Sequence, residues 1–353
     1  MNGWCGKIQV IDLTTRTTRT EFLDRETATR WIGGKGLAGI WLRPHIRKPY
    51  DHPDMPLILM TGPLVNTASP TSGRMCIMSR SPLTGTIGDC SVGGTLGTRI
   101  KRAGWDGIVI TGISDAPIGI HIVDDTCTFA DASAMLGKTT DAVTKALAAH
   151  GSVACTGPAA DHGVRFSCIV IDGDSFAGRT GLGRVCAAKN LKFLTVQGSG
   201  KTTVHDPGDL QLAREDIFRL VAASPILFGE LGITHFGTGA LYDLMDTRHM
   251  MPTDNFRKTR FDGAGSMNAY QYRQKYGTRK TGCHGCHILC KKRAADGRAI
   301  PEFETMSHFS ALLGNRDMDA VMEANRLCNQ AGMDTISTGA TLACHSEISG
   351  EAI

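Results

Sequence analysis

Cys283-His284-Gly285-Cys286-His287-Ile288-Leu289-Cys290 is the stretch on which the reading of this chain turns. Three thiols stand at CxxC and then CxxxC spacing. Thiolates are soft ligands, and closely spaced ones can wrap one metal centre. Two residues between the first pair let both sulfurs point inward around a tight turn, which Gly285 eases because it has no Cβ. Iron–sulfur clusters usually take four cysteines, often three close together and one remote. Zinc sites use paired CxxC units or paired histidines. The spacing therefore fits a cubane cluster better, and zinc with His284 or His287 as a further ligand is the alternative. Cys283, Cys286 and Cys290 are the candidate metal ligands.

The flanks are basic, Arg279-Lys280 before the trio and Lys291-Lys292-Arg293 after it. Further out, apolar residues recur at helical spacing. The pattern predicts helices over residues 206–223, 238–245, 266–276, 317–331 and 335–348. In residues 317–331 the apolar positions are Met318, Val321, Met322 and Leu327, and Glu323 reads as a surface residue. Pro301-Glu-Phe-Glu304 places two carboxylates at a helix start, where such groups are usually solvated or capping. A buried one beside a cofactor could instead move protons.

Residues 1–205 read mainly as β. Strands are predicted over residues 7–13, onward to 21 after a turn, 57–61, 74–79, 107–112, 118–123, 153–156, 167–171 and 192–197. Helices are predicted over residues 25–31 and 138–149. Several strands with few helices favour a β-sandwich or mixed β layers over a doubly wound sheet. The fold class is α+β: a β-rich, β-sandwich-like domain over residues 1–205, then a mostly α-helical domain over 206–353 that carries the cysteine trio and is expected to be incomplete. No internal repeat and no low-complexity segment is visible.

Two glycine-rich stretches lie in the β part, Leu83-Thr-Gly-Thr-Ile-Gly-Asp-Cys-Ser-Val-Gly-Gly94 and Phe176-Ala-Gly-Arg-Thr-Gly-Leu-Gly-Arg184. Each reads either as a turn or as a loop whose backbone N–H groups cradle an anion. Arg179 and Arg184, with Thr71-Ser-Gly-Arg74, add phosphate-clamping chemistry. Ile32-Gly-Gly-Lys-Gly36 lacks the GxxxxGK[ST] spacing of a phosphate loop.

The formal net charge of +4 is too small to argue for a nucleic-acid partner. The apolar runs at 57–60 and 108–110 are too short to span a bilayer, and the first residues hold no signal-peptide core. A cytoplasmic protein without a membrane partner is expected. In that compartment most of the twelve Cys stay reduced, and clustered ones are metal ligands before they are disulfides. Cys168 reads as a small core residue.

These motifs, in this order, resemble the tungsten-containing aldehyde ferredoxin oxidoreductase family over nearly all of the chain. The residues carrying the resemblance begin at Gly3-Trp-Cys-Gly-Lys-Ile-Gln-Val-Ile-Asp-Leu-Thr14. Thr61-Gly-Pro-Leu64, Ser81-Pro-Leu-Thr-Gly85, Ala177-Gly-Arg-Thr-Gly-Leu-Gly183 and Lys189-Asn-Leu-Lys192 follow. The cysteine trio, Glu323-Ala-Asn325 and Met333-Asp-Thr-Ile-Ser337 complete the set.

The resemblance implies a β-rich base for a tungstopterin, a bis-molybdopterin with tungsten or molybdenum, and a neighbouring [4Fe–4S] cluster. Mg2+ bridging the pterin phosphates is a further expectation. The implied reaction oxidises an aldehyde to a carboxylic acid, with electrons leaving through the cluster to ferredoxin. By the same resemblance Arg74 lies between cluster and pterin. Ser91 and Gly93 fall in the first pterin loop, Gly178 and Arg179 in the second, and Met333 and Asp334 at the end of a DxxGLD-type pterin motif. Glu304 matches a proton-transfer glutamate, and Cys283, Cys286 and Cys290 match three cluster ligands.

Some positions depart from the family pattern. The DxxGLD motif reads Asn329-Gln-Ala-Gly-Met-Asp334, so its first carboxylate is an amide. Ser175 stands where an arginine often contacts the cofactor, and Arg326 replaces the His of an ExxH pattern. The remote fourth cysteine and the second pterin motif are expected beyond residue 353. The chain is therefore expected to act as a fragment or one part of a split enzyme, with a separate C-terminal segment or a second copy as partner. The alternative is a non-catalytic or electron-transfer iron–sulfur protein of the same family.

Overall fold

Residues 1–351 are described by the computed structural model. β1 (Lys7–Asp12) and β2 (Thr17–Phe22) form an antiparallel hairpin. Its turn is fixed by Asp12, whose carboxylate accepts the N–H groups of Thr14 and Thr15 at 2.8 and 3.2 Å, a short polar side chain satisfying the turn backbone. α1 (Arg25–Trp31) starts where predicted, because the Asp24 carboxylate caps the Thr27 N–H at 2.8 Å. α2 (Lys35–Leu42), β3 (Leu57–Met60), β4 (Met75–Arg80), β5 (Ile87–Val92), α3 (Leu96–Arg102) and β6 (Gly107–Thr111) complete the first half of the β region. The second half holds β7 (Ile118–Val123), β8 (Thr126–Asp131), α4 (Thr140–Leu147), β9 (Ser152–Thr156), α5 (Pro158–Asp161), β10 (Ile169–Ile171), β11 (Ser175–Ala177), α6 (Leu182–Ala188) and β12 (Leu191–Gln197).

The strands form two six-stranded mixed sheets, β2-β1-β6-β3-β4-β5 and β8-β7-β12-β9-β10-β11. Adding six to each strand number converts the first order into the second. In each sheet one pair is parallel, β1 with β6 and β7 with β12, and the remaining pairs are antiparallel. This duplication corrects the expectation of no internal repeat. It survives in the order of elements and not in residue spacing, since a sheet demands an apolar pattern and tolerates many sequences that supply it.

The two sheets share one core, to which Ile11, Leu57, Leu59 and Ile108 contribute from the first and Ile120, Ala154, Ile169 and Leu194 from the second. The other face of the first sheet packs Ile8, Val10, Ile58 and Met60 against Leu37, Ala38 and Leu42 of α2. The other face of the second packs Val153 and Phe193 against Val143 and Leu147 of α4. The sandwich expectation holds for the two sheets, but more helices flank them than the sequence suggested. α2, α3 and α6 are short and carry glycines, so their apolar period is weak. Strands such as β3, buried at every residue, read as plain apolar runs because both faces are covered.

The chain divides into two compact units. One holds Met1–Arg214 with Cys283–Gly285 and Gln330–Met333, and the other holds Glu215–Gly282, Cys286–Asn329 and the residues from Asp334 onward. The second is mostly helical. α7 (Pro207–Ala222) leads from the first unit into it. It is followed by α8 (Pro225–Phe228), α9 (Ile233–Phe236), α10 (Leu241–Thr247), α11 (Ala264–Met267), α12 (Ala269–Tyr276), α13 (Phe303–Phe309), α14 (Met318–Ala331) and α15 (Thr335–Ser349). A small antiparallel ribbon, β13 (Arg279–Thr281) with β14 (Lys291–Arg293), brackets the cysteine trio in sequence. α13 and α15 approach closely at Gly339, where an added Cβ would lie 2.8 Å from the Cβ of His308. Along α14, Val321 and Met322 are buried as predicted, whereas Leu327 is 51% exposed. Among the described residues no single helix is long and apolar enough to cross a membrane.

Candidate functional site

The two glycine-rich stretches occupy equivalent places in the duplicated fold. The first runs through β5 and turns at Gly93-Gly94 into α3. The second runs through β11 and turns at residues 178–181 into α6. Each turn therefore follows the terminal strand of its six-stranded sheet. Ser91, expected in a loop, lies on β5 opposite Cys76. A strand was not legible there because Gly88, Asp89 and Gly93 dilute its apolar pattern.

The fold also brings these stretches together. The Cys90 thiol on β5 reaches the Arg179 carbonyl at 3.1 Å, and Ser81 Oγ donates to the Thr180 carbonyl at 2.8 Å. Thr180 sits at φ 73°, held in the left-handed region between Gly178 and Gly181. Asp172 fastens the corner. Its carboxylate accepts the Thr95 N–H at 3.1 Å, Thr95 Oγ at 2.6 Å, Ser152 Oγ at 2.8 Å and the Val153 N–H at 2.9 Å. No local pattern points to Asp172, since its partners lie 19 to 77 residues away.

Arg74 stands exposed just before β4. Its Nε donates to Ser91 Oγ at 3.0 Å and its Nη2 donates to the Ser91 carbonyl. Cys283 belongs to the same unit. A Cβ built on Gly93 would lie 2.2 Å from Cys283 Sγ and 3.6 Å from Arg74 Nη1, and one on Gly73 would lie 2.8 Å from the His284 carbonyl. Both positions must be glycine for the cysteine loop to approach this closely. Arg74, Ser91, Gly93 and Cys283 thus form one constellation. Arg179 is exposed, and its side chain makes no ion pair among the described residues.

Gln330–Met333, which follow most of α14, belong to the first unit and are held there through backbone. The Cys168 N–H donates to the Gly332 carbonyl at 2.7 Å, and Met333 forms an antiparallel bridge with Ser167. Met333 is thereby placed by β pairing. Asp334 is buried, and its carboxylate caps α15, accepting the Ser337 N–H at 3.0 Å and Ser337 Oγ at 2.7 Å. Asn329 donates to Asn325 Oδ1 at 3.4 Å. Ser175 is buried, and Arg326 pairs with Glu323.

In the second unit, Cys286 and Cys290 are half-buried. Leu289 at φ 50° bends the chain between them. Lys292 is buried on β14, with its ammonium donating to the carbonyls of Leu289 and Ile233 at 2.6 and 3.3 Å, and burial lowers its pKa to about 8. Glu304 lies half-buried in the first turn of α13, and its carboxylate makes no hydrogen bond or ion pair among the described residues. His308, one turn on, donates from Nδ1 to the Glu304 carbonyl at 2.8 Å. That i, i+4 pairing is readable from the sequence once α13 is recognised.

The fit of the implied groups differs. The close seat of Cys283 on Gly93, beside Arg74, fits a base on which a pterin and a cluster meet. The donor chemistry at Cys283, Cys286 and Cys290 fits a cluster too, since none of the three is tied up in a disulfide. Yet no three His, Cys, Asp or Glu side chains converge as a metal group among the described residues. The other cysteines are poor substitutes. Burial pushes Cys76 and Cys186 up to about 12 and Cys328, inside α14, up to about 11, so these thiols stay protonated at neutral pH.

The family model for the aldehyde ferredoxin oxidoreductase N-terminal domain matches residues 8–198, and that for domains 2 and 3 matches residues 213–353. The chain belongs to the aldehyde ferredoxin oxidoreductase family. A tungsten-containing aldehyde ferredoxin oxidoreductase of Pyrococcus abyssi is 35% identical over 99% of this chain and 59% of its own length. The Thermococcus kodakarensis protein of the same description is 34% identical with the same coverage. An aliphatic sulfonate oxidoreductase, WOR-like subunit, of Pyrococcus furiosus is 23% identical over 99% of this chain. The chain thus spans about 59% of the length of the tungsten relatives. Among solved structures, the active-site complex BamBC of benzoyl coenzyme A reductase in complex with 1,5-dienoyl-CoA shares the fold. It aligns with a TM-score of 0.84 over 98% of this chain and 56% of that one, at 21% identity. The α+β class is that of the aldehyde ferredoxin oxidoreductase fold.

Proposed function

We propose that this chain carries the pterin base and cluster ligands of an oxidoreductase that converts an aldehyde to a carboxylic acid. The observation that carries the reading is the pair of equivalent strand–glycine turn–helix corners, one ending each sheet of the duplicated domain. Two equivalent corners suit a cofactor with two equivalent phosphate-bearing halves. The similarity to tungsten-containing aldehyde ferredoxin oxidoreductases supports the same reading.

A bound tungsten or molybdenum bis-pterin would supply the two-electron chemistry, RCHO + H2O → RCOOH + 2 H+ + 2 e−. The chain's own residues bind and orient it. Backbone N–H groups at Gly93-Gly94 and Gly178-Arg179 would hold its anionic groups, and the Arg179 guanidinium would add charge. Arg74, locked on Ser91, holds a fixed cation beside Cys283. Glu304 is the proton acceptor in this reading, because its half-buried carboxylate is not engaged by another side chain. Cys283, Cys286 and Cys290 would hold a [4Fe–4S] cluster for single-electron transfer to ferredoxin.

The test is metal analysis of the full chain purified without oxygen. Iron and sulfide with tungsten or molybdenum support the reading, and zinc alone overturns it. The replacement of a motif carboxylate by Asn329 favours a second reading, an electron-transfer relative that keeps the cluster but lacks turnover. Iron and sulfide without tungsten or molybdenum would select it.

A further inference from the structure

We propose that Thr234 and Lys292 are positioning residues for the cysteine loop, holding residues 288–290 on the α9 corner so that Cys286 and Cys290 stand ready to ligate; this rests on the cluster reading above. Thr234 is buried in the first turn of α9, and its Oγ1 donates to the Ile288 carbonyl at 2.8 Å. A threonine hydroxyl further along a helix commonly bonds a carbonyl one turn back in its own helix. α9 has no earlier turn, so this hydroxyl reaches the loop instead. Lys292 is buried on β14, and its ammonium donates to three carbonyls, of Leu289 at 2.6 Å, Lys291 at 3.2 Å and Ile233 at 3.3 Å. That matches the three donors an ammonium carries. The Ile233 carbonyl also accepts the Gly237 N–H that ends α9, at 2.7 Å. One carbonyl therefore serves both the helix end and the clamp on the loop.

Gly237 completes the seat. It stands at φ 72°, and a Cβ there would lie 2.8 Å from the Cys290 carbonyl and 3.2 Å from Lys292 Cγ. Leu289, between the two thiols, is at φ 50°, a left-handed backbone that a bulky residue holds only when its surroundings fix it. Its carbonyl takes the shortest of the Lys292 bonds, so the strained turn and its clamp belong together. Among the described residues Lys292 meets carbonyls and no carboxylate. A buried cation without a counter-charge is costly in stability. An anionic cluster held by thiolates, one of them only two residues away at Cys290, would offset that cost.

The experiment uses the full chain purified without oxygen and the variants Thr234→Val, Thr234→Ser and Lys292→Met. Valine keeps the shape of threonine and removes the donor, whereas serine keeps the donor. Release of iron to a chelator is followed well below the melting temperature of each variant. It is expected to be about tenfold faster for Thr234→Val and Lys292→Met, the size of effect seen when a partner that orients a metal ligand is lost. Thr234→Ser should stay near the unaltered rate. Lys292→Met should also move the cluster's reduction potential to a more negative value, because a nearby positive charge favours the added electron. A clamp that serves only the fold would lower the melting temperature and leave iron release and potential alone, and that result overturns the proposal. So does equal iron release from Thr234→Val and Thr234→Ser, a comparison that stands even if Lys292→Met does not fold. The iron-free chain is titrated in parallel with Co2+, whose thiolate charge-transfer absorption reports sulfur ligation. If the unaltered protein holds no iron, yet Co2+ affinity falls about tenfold in Thr234→Val and recovers in Thr234→Ser, the cluster reading fails and the positioning role stands. Equal Co2+ affinity in all variants overturns the positioning role.

Discussion

A Cβ on Gly93 would lie 2.2 Å from the sulfur of Cys283. Residues 190 positions apart in the sequence are thus in direct contact, and the absence of one methyl group permits it. Gly93→Ala should push the cysteine loop off the first glycine-rich corner. Overpacking of this kind costs about 1–3 kcal/mol. A lower melting temperature together with reduced iron content is expected, and a variant with unaltered iron and melting would show that the contact is not needed.

Cys286→Ser should abolish the iron–sulfur signal. The serine hydroxyl is a hard, weakly acidic ligand where the cluster needs a thiolate. Iron and sulfide content unchanged in this variant would remove Cys286 from the ligand set.

Asp172 joins residues from three separate segments through one carboxylate. Asp172→Ala leaves the Thr95 and Val153 N–H groups without their acceptor. A hydrogen bond to a charged group contributes about 1.5–3 kcal/mol, so a loss of roughly 3 kcal/mol is expected in urea unfolding. Asp172→Asn should recover part of it. A loss below about 0.5 kcal/mol for the alanine variant would count against the carboxylate as the fastener of the corner.

Lys189 is buried, with its ammonium donating to the Gly112 and Pro53 carbonyls at 3.1 and 3.3 Å. Burial lowers its pKa from 10.5 to about 8. Between those two values the unfolded chain holds the proton and the folded chain has released it. Stability should therefore rise with pH through this window, by at most about 1.4 kcal/mol per pH unit from this group. The contribution is fully present above 10.5 and is lost as pH falls through about 8. Urea unfolding of the unaltered protein and of Lys189→Met at about pH 7.5 and about pH 9.5 checks it: their difference should shift toward the unaltered protein at the higher pH. A constant difference would contradict the assignment.

Leu212, Leu220, Ile226 and Leu231 are 63%, 74%, 59% and 73% exposed along α7, α8 and the loop that follows. Apolar exposure on this scale promotes association. The isolated chain should bind an apolar fluorescent dye and aggregate with concentration, and Leu212→Lys with Leu220→Lys should reduce both. A monodisperse chain with no dye binding would refute the expectation.

Much of the fold was legible because its signals are local. The β1–β2 turn is encoded by Asp12, the start of α1 by Asp24, and α14 by an apolar stripe with Val321 and Met322 buried. β5 and α6 were not legible as elements, since glycines needed for the corners weaken the very periodicity that reveals a strand or helix. In the candidate site, Arg74, Ser91, Gly93 and Cys283 each stand in a motif that the sequence displays. Asp172 does not, because a carboxylate accepting from distant backbone leaves no spacing signal.

The sequence by itself determined the kinds of ligand available, three thiols in one basic loop and two glycine-rich stretches with arginines, because residue chemistry and short spacing are properties of the chain alone. Only the tertiary structure decided that the two stretches are equivalent corners of a duplicated pair of sheets, and that the sulfur of Cys283 rests on Gly93. Those relations depend on strand order and register, which long-range pairing fixes and no local pattern records.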